Sequence, residues 1–294
     1  MLGQYLITFR EVLEAALITS IILAYLIRTR KEYLILHIWK GVGMAVIAST
    51  VIAAATWMIY GGLSKANTKL FEGVAALIAV AVLTSMILWM AFKGRHLREE
   101  IRGKVNEAVQ KGTIYGLIGL AFVVVFREGF ETVLFLIPFT VNDIYGTILG
   151  AILGIISALA ISFLIFKVGI KIDLKRFFYF SSLLLILLAA GLVGYGIHEL
   201  IEYQGAIGLE PGWFGTYAFD LDIPKDNIFH HKGIIGSIFA VMFGYSVKME
   251  WGRVIMHIFY LTIFIPLTIL AYKKPGSFDI FTKLKMKIKS ISSH

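Results

Sequence analysis

Two segments decide how this chain folds: FREVLEAALITSIILAYL at residues 9–26 and FREGFETVLFL at residues 126–136. Each is an apolar run that contains R-E-x-x-E directly after a phenylalanine. Ionisable side chains inside an apolar membrane segment are costly, and they are rare unless they have a function. The paired motif therefore predicts both the class of fold and the position of a candidate site.

The composition of the chain excludes most soluble functions. Of its 294 residues, 58% are hydrophobic and 16% are charged, and the mean hydropathy is +0.81. An average soluble domain is nearer half apolar and one quarter charged. A soluble enzyme or a nucleic-acid-binding module is therefore excluded, and an all-α integral membrane protein is predicted. The sequence contains no cysteine, so disulfides and thiolate metal sites are excluded as well.

Seven apolar runs are long enough to cross a hydrocarbon core of about 30 Å. The first is not a signal peptide, because Arg10, Glu11 and Glu14 interrupt the part that should be apolar. The glycine-rich stretch 232–247 is too short to span and predicts a re-entrant or half-helix. We therefore expect seven transmembrane helices, at residues 2–27, 37–60, 71–92, 112–139, 145–166, 178–201 and 252–272.

Lysine and arginine cluster in alternate connections between these runs. Of the 28 basic residues, 20 follow the first, third and fifth runs or lie in the C-terminal tail at 273–294. By the positive-inside rule, these connections face the cytoplasm. We expect a multi-pass protein of the plasma membrane with its N-terminus outside and a basic cytoplasmic tail. The formal charge of +9 thus indicates topology and not a nucleic-acid partner.

The spacing of the two motif copies indicates an internal repeat. Three runs separate them, so successive three-helix units cross the bilayer in opposite directions, as in many transporters. At 1.5 Å per residue, Arg10 and Arg127 lie roughly 12 and 16 Å below the outer ends of their helices, so the copies should meet at similar depth. Within one permease domain, we expect inverted repeats at 1–92 and 112–201, an external loop and re-entrant segment at 202–250, and a last helix at 252–272.

Each motif copy places two glutamates on one helix face, since residues three and four apart are neighbours. Four carboxylates facing one another supply hard oxygen ligands, which highly charged cations prefer. The arginines reduce the repulsion and can pair with the carboxylates. The alternative is a set of structural ion pairs that clamps the first helix to the fourth. The candidate metal ligands are Glu11, Glu14, Glu128 and Glu131. The supporting arginines are Arg10 and Arg127.

At these residues the chain resembles the oxidase-dependent iron permease (FTR/EfeU) family. Both R-E-x-x-E segments look like that family's motifs, and the resemblance extends to residues 190–207 and to FGYSVKMEWGRVIMHIFYL at 243–261. It implies import of Fe(III) through the four carboxylates, with iron as transported substrate and no resident cofactor. It also implies a separate ferroxidase or an external iron-delivery protein as partner.

The sequence departs from that family's pattern in two places. Val12 stands where prokaryotic members usually have glycine, whereas the second copy keeps Gly129. The acidic D-A-S-E loop motif of fungal members is missing, and Asp220-Leu221-Asp222 is only a loose analogue. Because the family includes lead-transporting relatives, the fold does not fix the metal.

Further polar residues lie near the outer ends of the helices. The motif H-E-L-I-E at 198–202 permits a metal site or, equally, a cluster that caps the helix end. The loop after it could collect cations, although a solvated loop is the commoner role for such residues. Glu72, near the start of the third run, is interpreted as a charge that complements the helix dipole. The expected vestibule residues are His198, Glu199, Glu202, Asp220 and Asp222.

Two other functions stay open from the sequence. One is transport of another cation, such as Fe(II), lead or manganese. The other is an intramembrane metalloenzyme around His198, but H-E-L-I-E lacks the second histidine of a zincin. We therefore expect no enzyme activity, and the expected partners are the iron ion and the lipid bilayer.

Overall fold

The computed structural model describes residues 1–93, 97–110, 114–168, 174–224, 227–231 and 233–273. Apart from residue 273, the predicted basic tail lies outside these residues. The described chain is almost entirely helical, which confirms the all-α class. Its helices are α1 (Leu2–Arg28), α2 (Ile35–Gly61), α3 (Lys65–Lys93), α4 (Leu97–Gln110), α5 (Ile114–Asn142), α6 (Ile144–Val168), α7 (Leu174–Ala206), α8 (Ile234–Phe243) and α9 (Trp251–Lys273).

Five of the described helices are long and apolar enough to cross a membrane: α2, α3, α6, α7 and α9. Helices α1 and α5 are similarly long, at 27 and 29 residues. Each, however, carries an R-E-x-x-E motif that places three charged residues in its interior. Every apolar run predicted from the sequence falls within one helix, except that residues 112–113 lie outside the described chain.

The helices pack in reciprocal pairs. α1 packs along α6, α2 along α5, and α3 along α7, while α1 also contacts α5. Two of these contacts depend on a glycine, which has no side chain to separate the helices. A Cβ atom on Gly154 of α6 would lie 2.8 Å from the backbone nitrogen of Phe9, and one on Gly41 of α2 would overlap the carbonyl oxygen of Ile118. Glycine therefore lets α6 and α2 lie directly against the two motif helices.

The centre and the periphery of the bundle differ in burial. In α3 and α7, 56% of the apolar stretch is buried, against 11% in α2 and 22% in α6. The exposed faces carry large apolar side chains such as Ile47 on α2 and Phe163 on α6. Such a continuous apolar surface is unfavourable in water and fits a lipid environment. The centre of the bundle is a hydrophobic core in which Ile7, Leu83 and Phe135 pack against α7.

The segment expected to be a loop between the sixth and seventh runs has more structure than predicted. α7 continues to Ala206, and a 3-10 turn (Gly212–Gly215) precedes strand β1 (Tyr217–Asp220). β1 pairs antiparallel with β2 (Lys248–Glu250), directly before α9. The predicted loop therefore contains a short strand and a turn, which the sequence did not reveal because pairing partners far apart in sequence leave no local signal.

A short helix lies between the two strands, as the sequence predicts. α8 ends at Phe243, and Gly244 follows it with φ +64°, a left-handed conformation that favours glycine. A Cβ atom on Gly244 would lie 3.0 Å from the Cα atom of Gly191 in α7. Gly244 thus ends α8 and also lets its chain approach α7 closely. A re-entrant position in the membrane stays a prediction.

Candidate metal site

The two R-E-x-x-E motifs meet where α1 crosses α5. Both motif copies are buried in the bundle: Glu11 is 0% exposed, Glu14 3%, Glu128 2% and Glu131 7%. Four carboxylates at this burial need compensating charge or ligands, because an isolated buried carboxylate is very unfavourable. The predicted meeting of the two copies is therefore found in the structure.

In the first copy, one arginine is paired with both glutamates. Arg10 Nη1 donates to Glu11 Oε1 at 2.7 Å, and Arg10 Nη2 lies 2.6 Å from Glu14 Oε1. The Arg10 side chain is only 3% exposed. This confirms the pairing of Arg10 with Glu14 that helical spacing predicts, and it adds Glu11 as a second partner.

In the second copy, the arginine is held less tightly. Arg127 Nε donates to Glu131 Oε1 at 2.9 Å and lies 3.6 Å from Glu128 Oε1. Its side chain is 38% exposed. The two copies are therefore alike in sequence but not in environment: Arg10 is enclosed, whereas Arg127 borders on open space.

Three of the four glutamates could together hold one metal ion. Oxygen atoms of Glu11, Glu128 and Glu131 all lie within 4.8 Å of one another, and this is the single such group in the described ranges of the chain. Glu14 is not in this group. Its Oε1 faces Arg10 instead. The structure thus brings three predicted ligands together and places the fourth in the ion pair beside them.

Unused oxygen atoms support a cation at this position. The Oε2 atoms of Glu11, Glu128 and Glu131 are buried without a hydrogen-bond partner. Buried carboxylate oxygens are normally satisfied, so three unpaired ones close together call for an explanation. A hard cation would accept all three as ligands. The donor set therefore fits a metal ion, which here would be cargo. The ligand roles of these residues stay predictions.

Helix α3 supplies two contacts to the site that the sequence did not reveal. Arg10 Nη1 lies 3.2 Å from Met86 Sδ, and the Arg127 guanidinium carbon lies 4.9 Å from the centre of the Trp89 ring. Met86 and Trp89 are three residues apart and so share one face of α3. Methionine and tryptophan are ordinary residues in an apolar helix. Nothing in their pattern marks them as neighbours of the charged site.

A cavity of about 430 Å³ opens at the end of the bundle where α1 begins and α5 ends. Its wall combines α1, α5, α7, α8 and α9 and is partly polar. The amide oxygen of Gln4, a residue only 4% exposed, is buried there without a hydrogen-bond partner. Polar residues that line it include Gln4, Asp143, Tyr195, His198, Glu199 and Arg253.

The predicted vestibule residues separate into two groups. His198 and Glu199 line the cavity. Glu202 does not line the cavity, and its side chain is 44% exposed. Lys69 Nζ lies 2.8 Å from a carboxylate oxygen of Glu202 and 2.8 Å from one of Glu199. His198 Nδ1 donates to Glu250 Oε1 at 2.9 Å, so this histidine links α7 to β2.

Asp220 and Asp222 lie elsewhere, outside the cavity lining. Asp220 pairs with Lys248 across the β1–β2 ladder, and it accepts a hydrogen bond from the backbone N–H of Asp222 at 3.1 Å. The side-chain hydrogen bond with Lys248 holds the pKa of Asp220 below its usual value. Asp220 therefore has a local contact in the ladder, and a vestibule role for Asp220 and Asp222 stays a prediction.

The interpretation of Glu72 as a helix-dipole charge was wrong. α3 begins at Lys65, so Glu72 lies beyond its first turn and is 3% exposed. Its two carboxylate oxygens accept hydrogen bonds from the hydroxyl groups of Tyr60 at 3.1 Å and Tyr195 at 2.8 Å. These partners come from α2 and α7, and helical position alone could not predict them.

A helical bundle with an apolar exterior and buried carboxylates gathered at a helix crossing defines a class of membrane proteins that handle cations. Comparison with known proteins supplies the particular family. Residues 1–273 match the Iron permease FTR1 family. The chain therefore belongs to the iron permease family, a family of multi-pass membrane transporters and not of enzymes.

Several relatives align along nearly the whole chain. An uncharacterized protein of Archaeoglobus fulgidus is 42% identical over 272 residues, which cover 92% of this chain and 96% of the relative. The ferrous iron permease EfeU of Yersinia pestis is 33% identical over 282 residues, covering 94% and 95%. EfeU of Escherichia coli is 33% identical over 266 residues, covering 89% and 92%. No solved structure matches the chain.

Proposed function

We propose that this protein imports iron across the cell membrane through the site that Glu11, Glu128 and Glu131 form at the crossing of α1 and α5. The observation that carries the proposal is the approach of three carboxylates within 4.8 Å of one another, each with an unpaired buried oxygen. The family supports iron transport. The all-oxygen donor set favours Fe(III), because hard oxygen ligands prefer small, highly charged cations.

Seven transmembrane helices with an inverted repeat are part of this proposal. In such a repeat, α1, α2 and α3 correspond to α5, α6 and α7. A twofold relation would then exchange the α1–α6 contact with the α2–α5 contact and would map the α3–α7 contact onto itself. Contacts of each kind are present. The reciprocity of the packing thus supports the repeat, with the site at the crossing of the two equivalent helices α1 and α5.

The route from outside begins at the 430 Å³ cavity between α1, α5 and α7. His198, Glu199 and Gln4 line it and offer donor atoms to an arriving cation. With the N-terminus outside, an inside-negative potential then favours inward movement by about 2.3 kcal/mol per charge per 100 mV. A separate ferroxidase or delivery protein would dock at this end, where β1 and β2 cover the bundle.

Import of Fe(II) is the second candidate, and the names of the relatives favour it. The proteins of Yersinia pestis and Escherichia coli are both described as ferrous iron permeases. The same three carboxylates can hold a divalent ion, and no oxidising partner would then be required. Transport measurements with iron of defined oxidation state distinguish Fe(II) from Fe(III) as the substrate.

Uptake of radiolabelled iron into proteoliposomes with an inside-negative potential tests the proposal. Fe(III)-citrate is compared with ascorbate-held Fe(II), using wild type and Glu131→Gln. We expect Glu131→Gln to reduce uptake by roughly tenfold or more, since even the loss of a group that only orients a metal ligand has an effect of this size. Glu100→Gln is the matched control, because Glu100 pairs with Lys104 on the surface of α4. Uptake of Fe(II) alone would change the substrate, and unchanged uptake in Glu131→Gln would refute the site.

A further inference from the structure

The two arginines of the site differ in their freedom to move. A cation that binds between Glu11, Glu128 and Glu131 must compete with both guanidinium groups for the carboxylates. Arg10 is enclosed by Glu11, Glu14 and the sulfur of Met86, and its side chain is 3% exposed. It can give up a contact with Glu11 but has no space to leave the site.

Arg127 has both space and a second surface to contact. Its side chain is 38% exposed, and its guanidinium carbon lies 4.9 Å above the Trp89 ring while Nε is bonded to Glu131. The face of an indole ring attracts a cation, and tryptophan is the strongest of the aromatic side chains in this respect. Trp89 thus attracts the same guanidinium that Glu128 and Glu131 attract.

The position of Trp89 makes it suited to hold an arginine in place. The indole is half-buried and packs against a small apolar cluster from α3, α7 and α9, which includes Met86, Phe178 and Tyr272. A ring packed in this way stays in place when the guanidinium moves. The Glu128 carboxylate does not hold the guanidinium directly, since Arg127 Nε lies 3.6 Å from it, beyond a direct hydrogen bond.

We propose that Trp89 is a positioning residue for iron binding: its ring competes with the carboxylates for the Arg127 guanidinium and retains that group when the ion displaces it from Glu131. Arg127 is then the movable counter-charge of the site, and Arg10 is the fixed one. The sequence repeats R-E-x-x-E, but only the second copy carries an arginine that can withdraw. This inference rests on the proposed iron site and adds a residue from outside both motifs.

Binding of radiolabelled Fe(III)-citrate to the purified full chain in detergent tests it through a double-mutant cycle. Trp89→Leu keeps an apolar side chain but removes the ring. We expect it to weaken iron binding roughly 2- to 30-fold, the equivalent of one cation–π contact. In an Arg127→Gln background, the same change should alter binding by less than about twofold, since there is no guanidinium to hold.

Iron binding by Trp89→Phe is a second measurement, and it remains informative if Trp89→Leu fails to fold. Phenylalanine is a weaker cation acceptor of similar character, so binding should weaken less than in Trp89→Leu and again only when Arg127 is present. An equal loss with and without Arg127 would show that Trp89 only packs, and would overturn the inference. If the wild type itself bound no iron, the proposed function would fail instead, and the two failures are thus distinguishable.

Discussion

Gly73 of α3 and Gly196 of α7 approach each other reciprocally. A Cβ atom on Gly73 would lie 3.0 Å from the carbonyl oxygen of Gly196, and one on Gly196 would lie 3.1 Å from the carbonyl oxygen of Gly73. A side chain at either position would therefore collide with the backbone of the other helix. This is the contact pattern expected where equivalent helices of two inverted repeats meet on a twofold axis. Small residues at such a crossing let helix backbones approach closely within a membrane.

Gly73→Val is therefore expected to separate α3 from α7 and lower stability. Overpacking a close contact typically costs about 1–3 kcal/mol. Gly43→Val on α2 is the matched control, because nothing lies within 4 Å of a Cβ atom there. Thermal unfolding of both variants in detergent measures the difference. Equal midpoints would show that the α3–α7 crossing tolerates a side chain and is not closely packed.

The segment from β1 to β2 is expected to respond to pH through Glu250. Burial would raise the pKa of Glu250, but the hydrogen bond and charge of His198 outweigh it and hold the pKa below the usual value of about 4.5. A lowered carboxylate pKa contributes stability above the unfolded value, which is lost as pH falls through the folded value. On the acid side, the link between α7 and β2 should therefore weaken below about pH 4.5.

Hydrogen exchange of the segment from β1 to β2 at pH 6 and pH 4 measures this response, when each rate is divided by the intrinsic rate of an unprotected amide at that pH. We expect less protection at the lower pH in the wild type. In Glu250→Gln the protection should be low at both values and nearly independent of pH, because the titrating partner of His198 is gone. A pH response that persists in Glu250→Gln would assign the effect to another group.

The sequence predicted those features that repeat or that have a characteristic length. Each of the seven apolar runs falls in a helix, and five of these helices are long and apolar enough to cross a membrane, because such a length is visible directly in the sequence. R-E-x-x-E spacing predicted the contact of Arg10 with Glu14, because a helix fixes the direction of neighbours four residues apart. The meeting of the two copies followed from their similar depth. These inferences needed only local geometry and symmetry.

The remaining features depend on contacts between distant parts of the chain. Strands of four and three residues, β1 and β2, have no periodicity to detect and form only because α8 returns the chain. Met86 and Trp89 look like ordinary membrane residues until α1 and α5 place arginines beside them. The exclusion of Glu14 from the carboxylate group likewise depends on how Arg10 divides its contacts, which spacing cannot show.

The unequal burial of the two arginines predicts unequal losses of stability. Arg10→Met leaves Glu11 and Glu14 buried without their partner, and breaking a buried ion pair from one side costs about 3–5 kcal/mol. Arg127→Met should cost less, because its side chain is 38% exposed and only Glu131 lies within direct hydrogen-bond distance of its Nε atom. Thermal unfolding in detergent with and without iron measures both. Added iron should reduce the deficit of Arg10→Met, since the bound cation replaces the missing positive charge. Equal losses in the two variants, or a deficit that iron does not change, would contradict a carboxylate site that Arg10 keeps electrostatically balanced before the ion arrives.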